Sequence, residues 1–156
     1  MSLRSRAHLC LLVLLMMAAS VAHAASCNVA ATSVSFGTYD PISANPTNST
    51  GRITVSCNGN SGHGPYSLAL SAGGGGSYAG RIMRSGSATI AYQLYIDAAH
   101  TRIWGDGNGG SDTVAGNDIV PKQSGNASFT VFGSIPARLI TNPGYYSDVI
   151  IVTANY

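Results

Sequence analysis

From residue 27 onward the sequence sets apolar side chains at every second position in short runs, each cut off by glycine, proline or asparagine. Nowhere does it repeat them at the three-to-four spacing of a helix. Val34 and Phe36 share a parity within Val29 to Phe36, before Gly37. Ile53, Val55 and Cys57 alternate in a strand starting near Gly51, and Tyr66, Leu68 and Leu70 alternate up to the glycine run Gly73 to Gly76. Tyr92, Leu94 and Ile96 form another run, Phe129, Val131 and Gly133 to Ile135 a further one, and Tyr146 to Tyr156 is the longest. Glutamate is absent and Lys122 is the only lysine, so the chain is poor in two of the residues that build surface helices. The pattern predicts an all-β chain of about six or seven short strands in a two-sheet sandwich, and excludes a helical bundle.

The first 24 residues read differently. Arg4 and Arg6 precede an apolar run from Leu9 to Ala19, and Ala22-His23-Ala24 ends in small residues, so 1–24 reads as a secretory signal peptide and 25–156 as the mature domain. The run is shorter than the roughly 20 apolar residues of a membrane span, so no span is expected once the signal is removed. Loss of Arg4 and Arg6 also brings the formal charge of +2 to zero. With no basic run left, nucleic acid is not an expected partner. Cys10 leaves with the signal, and Cys27 and Cys57 remain as an even pair in a chain bound for an oxidising compartment. One disulfide between them is expected. Their spacing is far too wide for C-x-x-C, and no histidine cluster accompanies them as a metal site would require.

The final strand says most about function. Tyr146, Ile150, Val152, Ala154 and Tyr156 share one parity, while Val149 and Ile151 make the other apolar as well. Such a strand expects cover on both faces. An immunoglobulin-like sandwich places a seventh strand beside it, and no sequence remains to supply one. An open edge beside an uncovered core is an aggregation hazard, and a strand lent by another chain removes it. On pattern alone, an ordinary sandwich with a buried last strand stands equally beside this reading.

Enzymatic chemistry finds little support. Gly105-Asp106-Gly107-Asn108-Gly109-Gly110 satisfies G-x-G-x-x-G by letter, but no capped helix follows. Asp106, Asn108 and Asp112 fail the twelve-residue calcium pattern at Gly110, Ser111 and Asn117. His63 and His100 lie in turn-like polar contexts, no G-x-S-x-G occurs, and the aspartates sit mostly beside Gly, Pro or Asn as turn residues do. No catalytic residue, cofactor or metal is expected. Among the aromatics Tyr78, Tyr92, Tyr95, Trp104 and Tyr145, most are expected in the core. Trp104, beside the glycine-rich loop, is the first choice for an exposed contact.

Taken in order, Cys27, Phe36-Gly37-x-Tyr39-Asp40-Pro41, Gly51-x-Ile53-x-Val55-x-Cys57, Tyr92-x-Leu94-Tyr95, Trp104-Gly105-Asp106-Gly107, Gly133-x-Ile135-Pro136-Ala137 and Pro143-Gly144-x-Tyr146-x-Asp148 resemble the spore coat protein U domain of archaic chaperone-usher pili. The resemblance implies an incomplete immunoglobulin-like sandwich lacking its last strand. It implies a secreted pilus (fimbrial) subunit, held by a periplasmic chaperone that lends a strand, then passed through an outer-membrane usher to a cell-surface fibre for adhesion or biofilm formation. The strand a chaperone grips corresponds to Tyr146, Ile150, Val152, Ala154 and Tyr156. A polymerising subunit also carries an N-terminal extension that fills its neighbour. Here only Ala25 and Ser26 precede Cys27 in the expected mature chain, which implies a tip or minor subunit able to receive a strand from a neighbour but not to donate one. The alternative is a self-contained secreted coat or matrix protein.

Overall fold

The computed structural model describes residues 26–58, 66–116 and 124–155. The signal-peptide expectation, His63, Asp118, Lys122 and Tyr156 therefore lie outside the described residues. Nine strands occur among those described: β1 (Ser26–Thr32), β2 (Thr47–Asn58), β3 (Tyr66–Leu70), β4 (Ile82–Ser85), β5 (Ala88–Ala91), β6 (Gln93–Tyr95), β7 (Val114–Gly116), β8 (Ser124–Ile135) and β9 (Val152–Asn155). They form a four-stranded sheet in the order β1-β2-β8-β6, a three-stranded sheet β7-β3-β9 and a two-stranded hairpin β4-β5. Every pairing between these strands is antiparallel.

The all-β expectation holds, and one core joins the layers. Ile53 and Val55 of β2, Val131 and Ile135 of β8 and Leu94 of β6 pack in one buried cluster with Tyr66, Leu68 and Leu70 of β3. Period-two alternation sends these side chains inward, while Arg52 and Thr54 between them turn out. The strand count is higher than the sequence reading, and the longest strands are β2 and β8, paired over their full length from Thr47↔Ile135 to Asn58↔Ser124. The tract 146–156, read as the longest strand, pairs regularly only over β9 among its described residues, 146–155. Upstream of β9 it is held by a single bridge from Ser147 to Arg84 of β4 and by Ser71 N–H donating to the Ile151 carbonyl at 2.9 Å. Its partner β3 ends at Leu70, so no regular ladder is available further back.

Two glycines decide where the chain goes after β1. A Cβ on Gly133 would lie 2.6 Å from Val34 Cγ1 and 2.8 Å from Phe36 Cζ, and one on Gly51 would lie 2.8 Å from Val34 Cγ2. Without side chains there, the segment leaving Thr32 lays Val34 and Phe36 across the inner face of the four-stranded sheet. Phe36 then meets Tyr92 edge-on, with ring centroids 6.1 Å apart.

At one end of the sandwich, Tyr39 ties two loops together. Its hydroxyl donates to the Pro136 carbonyl and accepts from the Leu139 N–H, each at 2.8 Å. Ile42, Ile140 and Tyr145 stand exposed on these two loops, Tyr145 at 99%.

Candidate functional site: a groove between two unpaired edges

The four-stranded sheet ends at β1 and the three-stranded sheet ends at β9, and neither strand has a second neighbour among the described residues. Between these edges lies a groove of about 390 Å³. Val34 and Phe36 form one wall, Tyr146 to Val152 the other, and Ile53, Leu94 and Val131 belong to the floor. The core is thus accessible along one side of the sandwich.

The C-terminal wall has two distinct faces. Tyr146, Ile150, Val152 and Ala154 are half-buried against the core, whereas Val149 and Ile151 are 78% and 64% exposed. In an antiparallel ladder, successive residues turn their N–H and C=O groups to opposite edges. The Ile151 carbonyl accepts from Ser71 and its N–H donates to Ser71 Oγ at 2.9 Å, so Ile150, Val152 and Ala154 direct their main-chain groups toward the unpaired edge. Three of the five residues expected to form a gripped edge, Ile150, Val152 and Ala154, therefore combine inward side chains with outward-facing backbone, and Tyr146 shares the inward side chain. Tyr156 is the one not described.

Asp148 fastens this wall. Its Oδ2 accepts from the Tyr92 hydroxyl at 2.7 Å, and its Oδ1 accepts from the Gly74 and Val149 N–H groups, each at 2.8 Å. The glycine run makes room: a Cβ on Gly73 would collide with the Asp148 carboxylate, and Gly73 itself has φ +69°. Burial raises the Tyr92 pKa far above the ordinary phenol range, and the bond to Asp148 pushes the same way.

Beneath the wall lies a fully buried arginine. Arg81 Nη1 donates to Gln93 Oε1 at 2.7 Å, while Nη2 donates to the Trp104 carbonyl at 2.7 Å and to the Ser71 carbonyl at 2.8 Å. Burial lowers its pKa, opposed by the nearby Tyr92, Tyr78 and Asp148. The guanidinium stays charged and gathers β6, the end of β3 and the Trp104 loop into one unit. Arg81, Gln93 and Asp148 were not legible beforehand as a group, because isolated polar residues widely spaced in sequence carry no periodic signal.

The other sequence candidates have structural places. Trp104, first choice for an exposed contact, is fully buried, and its Nε1 donates to the Leu68 carbonyl at 3.0 Å. Its aromatic surface outweighs the pull of its glycine neighbours, and Tyr145 is the exposed aromatic instead. Asp106 Oδ1 accepts from the Asn108 N–H at 2.9 Å, and Asp112 pairs with Arg102 at 3.0 Å. No group of three or more His, Cys, Asp or Glu side chains able to hold a metal occurs among the described residues. His100 packs against Tyr95 with the rings tilted by 45° and centroids 4.9 Å apart. Cys27 and Cys57 are direct Cα partners in the β1–β2 ladder.

Residues 13–153 match the family model of the Spore Coat Protein U domain. In fold the chain is similar to a chain in the crystal structure of the CsuC-CsuE chaperone-tip adhesion subunit pre-assembly complex from archaic chaperone-usher Csu pili of Acinetobacter baumannii, with a TM-score of 0.55 at 20% identity. That likeness covers 85% of this chain and 40% of the other, so this chain spans well under half the length of its structural relative. No curated protein matches it in sequence.

Proposed function

The chain belongs to the spore coat protein U domain family, and on that premise we propose that it is a non-enzymatic structural subunit of a chaperone-usher surface pilus, completed by a strand from another chain. One observation carries this reading: an apolar groove of about 390 Å³ lies between two sheet edges that lack neighbours. An inserted strand gains main-chain hydrogen bonds from the β9 edge and places alternate side chains on the floor. A buried site emptied of one large side chain leaves about 150 Å³, so the groove takes two or three. A donor of about five residues with apolar side chains at i, i+2 and i+4 satisfies it.

In this proposal a periplasmic chaperone lends the first strand, an outer-membrane usher passes the subunit on, and a neighbouring subunit replaces the chaperone at the cell surface. Residues 1–24 are removed as the signal peptide, and Cys27 and Cys57 join as a disulfide. Antiparallel Cα partners lie about 4.5–5.5 Å apart, inside the range a disulfide bridges. An adhesive role in surface attachment or biofilm is supported by Ile42, Ile140 and Tyr145, which stand exposed on loops leaving one end of the sandwich. The terminal or minor position in a fibre rests on cleavage after Ala24, which N-terminal sequencing of the secreted chain checks.

Expression in a periplasm with and without its chaperone, read as soluble yield, tests the central claim. Low yield alone, with rescue by the chaperone or by an alternating apolar peptide, is the expected result. High yield and cooperative unfolding of the lone chain, unchanged by peptide, would overturn it in favour of a self-contained coat or matrix protein.

A further inference from the structure

The three-stranded sheet also has a hollow on its outer face, of about 410 Å³. Its floor is Ser67, Ala69 and Ser71, outward residues of β3 and its extension, whose small side chains sink the central strand below its neighbours. Thr153 and Asn155 of β9 line one side. Tyr78, just after the Gly73 to Gly76 run, and Asp106, on the glycine-rich loop 105–110, close it.

The closing pair is held in place from behind. Gln93 Nε2 donates to the Tyr78 carbonyl at 2.7 Å, and the Arg81 guanidinium lies 5.7 Å from the Tyr78 ring centroid. A Cβ on Gly105 would come within 2.7 Å of Tyr78 Cδ1, so the loop backbone approaches the ring as only glycine allows. Asp106 Oδ1 accepts from the Asn108 N–H at 2.9 Å, and the neighbouring Tyr78 phenol also favours its ionised form. Together they hold its carboxyl below the ordinary range, led by the Asn108 N–H, so at neutral pH it is a fixed, ionised acceptor at the hollow's edge. Asn155 Nδ2 donates to Ser67 Oγ at 3.4 Å, which leaves the Asn155 amide oxygen as a further acceptor.

The lining selects by chemistry. It contains no Lys, Arg or His, so an anion finds no counter-charge. Its one carboxylate falls short of the several oxygen ligands a divalent cation requires. What it offers is a carboxylate, an amide, several hydroxyls and two small aliphatic surfaces, Ala69 and Ile151. Its volume falls within the range of small-ligand sites. We propose that this hollow binds a neutral saccharide unit, with Asp106 accepting from sugar hydroxyls, Asn155 and Thr153 exchanging hydrogen bonds along one side, and the sugar's C–H face against Ala69 and Ile151. The site is independent of what fills the groove.

The test is titration of the purified full chain, completed by its chaperone or by an alternating apolar peptide, with glucose, galactose, mannose and N-acetylglucosamine, followed by ligand-observed NMR. N-acetylneuraminate and tetramethylammonium serve as charged probes. The expected result is saturable binding of at least one neutral sugar with a millimolar Kd, weakened at least tenfold in Asp106→Ala and in Ala69→Phe, which fills the hollow from an outward position. Unfolding curves establish that each variant is folded, and Ala69→Phe decides alone if Asp106→Ala is not. Absence of saturation by all four neutral sugars, tighter binding of a charged probe, or undiminished binding in Ala69→Phe would each overturn the proposal.

Discussion

Tyr92 Oη donates a 2.7 Å hydrogen bond to Asp148 Oδ2 and so ties the groove floor to its C-terminal wall. A phenolate at this buried position would face a carboxylate, so the folded state keeps Tyr92 protonated well above its ordinary pKa of 10.0. The unfolded chain releases that proton near pH 10. A pKa raised on folding gives stability that is complete below the unfolded value and is lost as pH rises beyond it. We expect stability to fall above pH 10, with Tyr92 contributing a slope approaching 1.4 kcal/mol per pH unit. Tyr92→Phe should remove that part of the slope and cost about 1.5–3 kcal/mol at pH 8, the value of a hydrogen bond to a charged group. Urea unfolding at pH 8, 10 and 11 measures both, and an unchanged slope in the variant would refute the assignment.

Arg81 satisfies the Gln93 Oε1 atom and the carbonyls of Ser71 and Trp104 in a dry interior. Arg81→Met leaves the two carbonyls without a donor, while Gln93 Oε1 keeps the Leu94 N–H at 2.9 Å, and should cost about 3 kcal/mol or more. Arg81→Lys should restore only part, because an ammonium cannot reproduce the planar fork. Denaturant midpoints decide. A loss below about 1 kcal/mol would mean the clamp is dispensable.

The two faces of the C-terminal wall should respond oppositely to charge. Ile150→Asp places a carboxylate on the groove side and should weaken uptake of an alternating apolar peptide by tenfold or more. Val149→Asp lies on the exposed side and should leave the stability of the peptide-bound chain within about 0.5 kcal/mol. Peptide titration of both variants separates the faces, and equal effects would contradict the parity.

Reduction offers a test of the Cys27–Cys57 pairing. A crosslink closing a loop of about 31 residues should stabilise the chain by roughly 3–4 kcal/mol. The double variant Cys27→Ala/Cys57→Ala should lose that amount and become insensitive to reductant. Thiol labelling with and without reductant, followed by mass spectrometry, checks the bond directly.

Alternation within a segment was legible in the sequence, while the extent of each ladder was not. β3 runs from Tyr66 to Leu70 as Tyr66, Leu68 and Leu70 imply, and Gly73 forms a 3₁₀ turn soon after. β2 begins at Thr47 rather than near Gly51, because Thr47 to Thr50 are polar and owe their strand state to pairing with residues 132–135. The hairpin β4-β5 escaped notice because each strand has only four residues and one buried member, Met83 and Ile90, too few to show an alternation. Its turn at Gly86, with φ +60°, carried the signal that could have found it. In the tract 146–155 the same contrast holds: which side chains face inward follows from the chain itself, but how much of it pairs depends on where β3 stops. An open edge beside the core was one of the two readings the final strand allowed on its pattern alone. The Asp148 and Arg81 attachments that shape it depend on contacts no local pattern encodes.

The pairing of β2 with β8 also has a consequence in time. Thr47 meets Ile135 and Val55 meets Ala127, so the central ladder cannot close while the chain emerges from its N terminus. Contacts this distant in sequence form slowly. Until β8 arrives, Ile53, Val55, Leu68 and Leu70 have no sheet to cover them, and such intermediates are prone to aggregate. The most vulnerable interval thus precedes the groove itself, and an assisting protein would matter by how early it engages as well as by how tightly it binds.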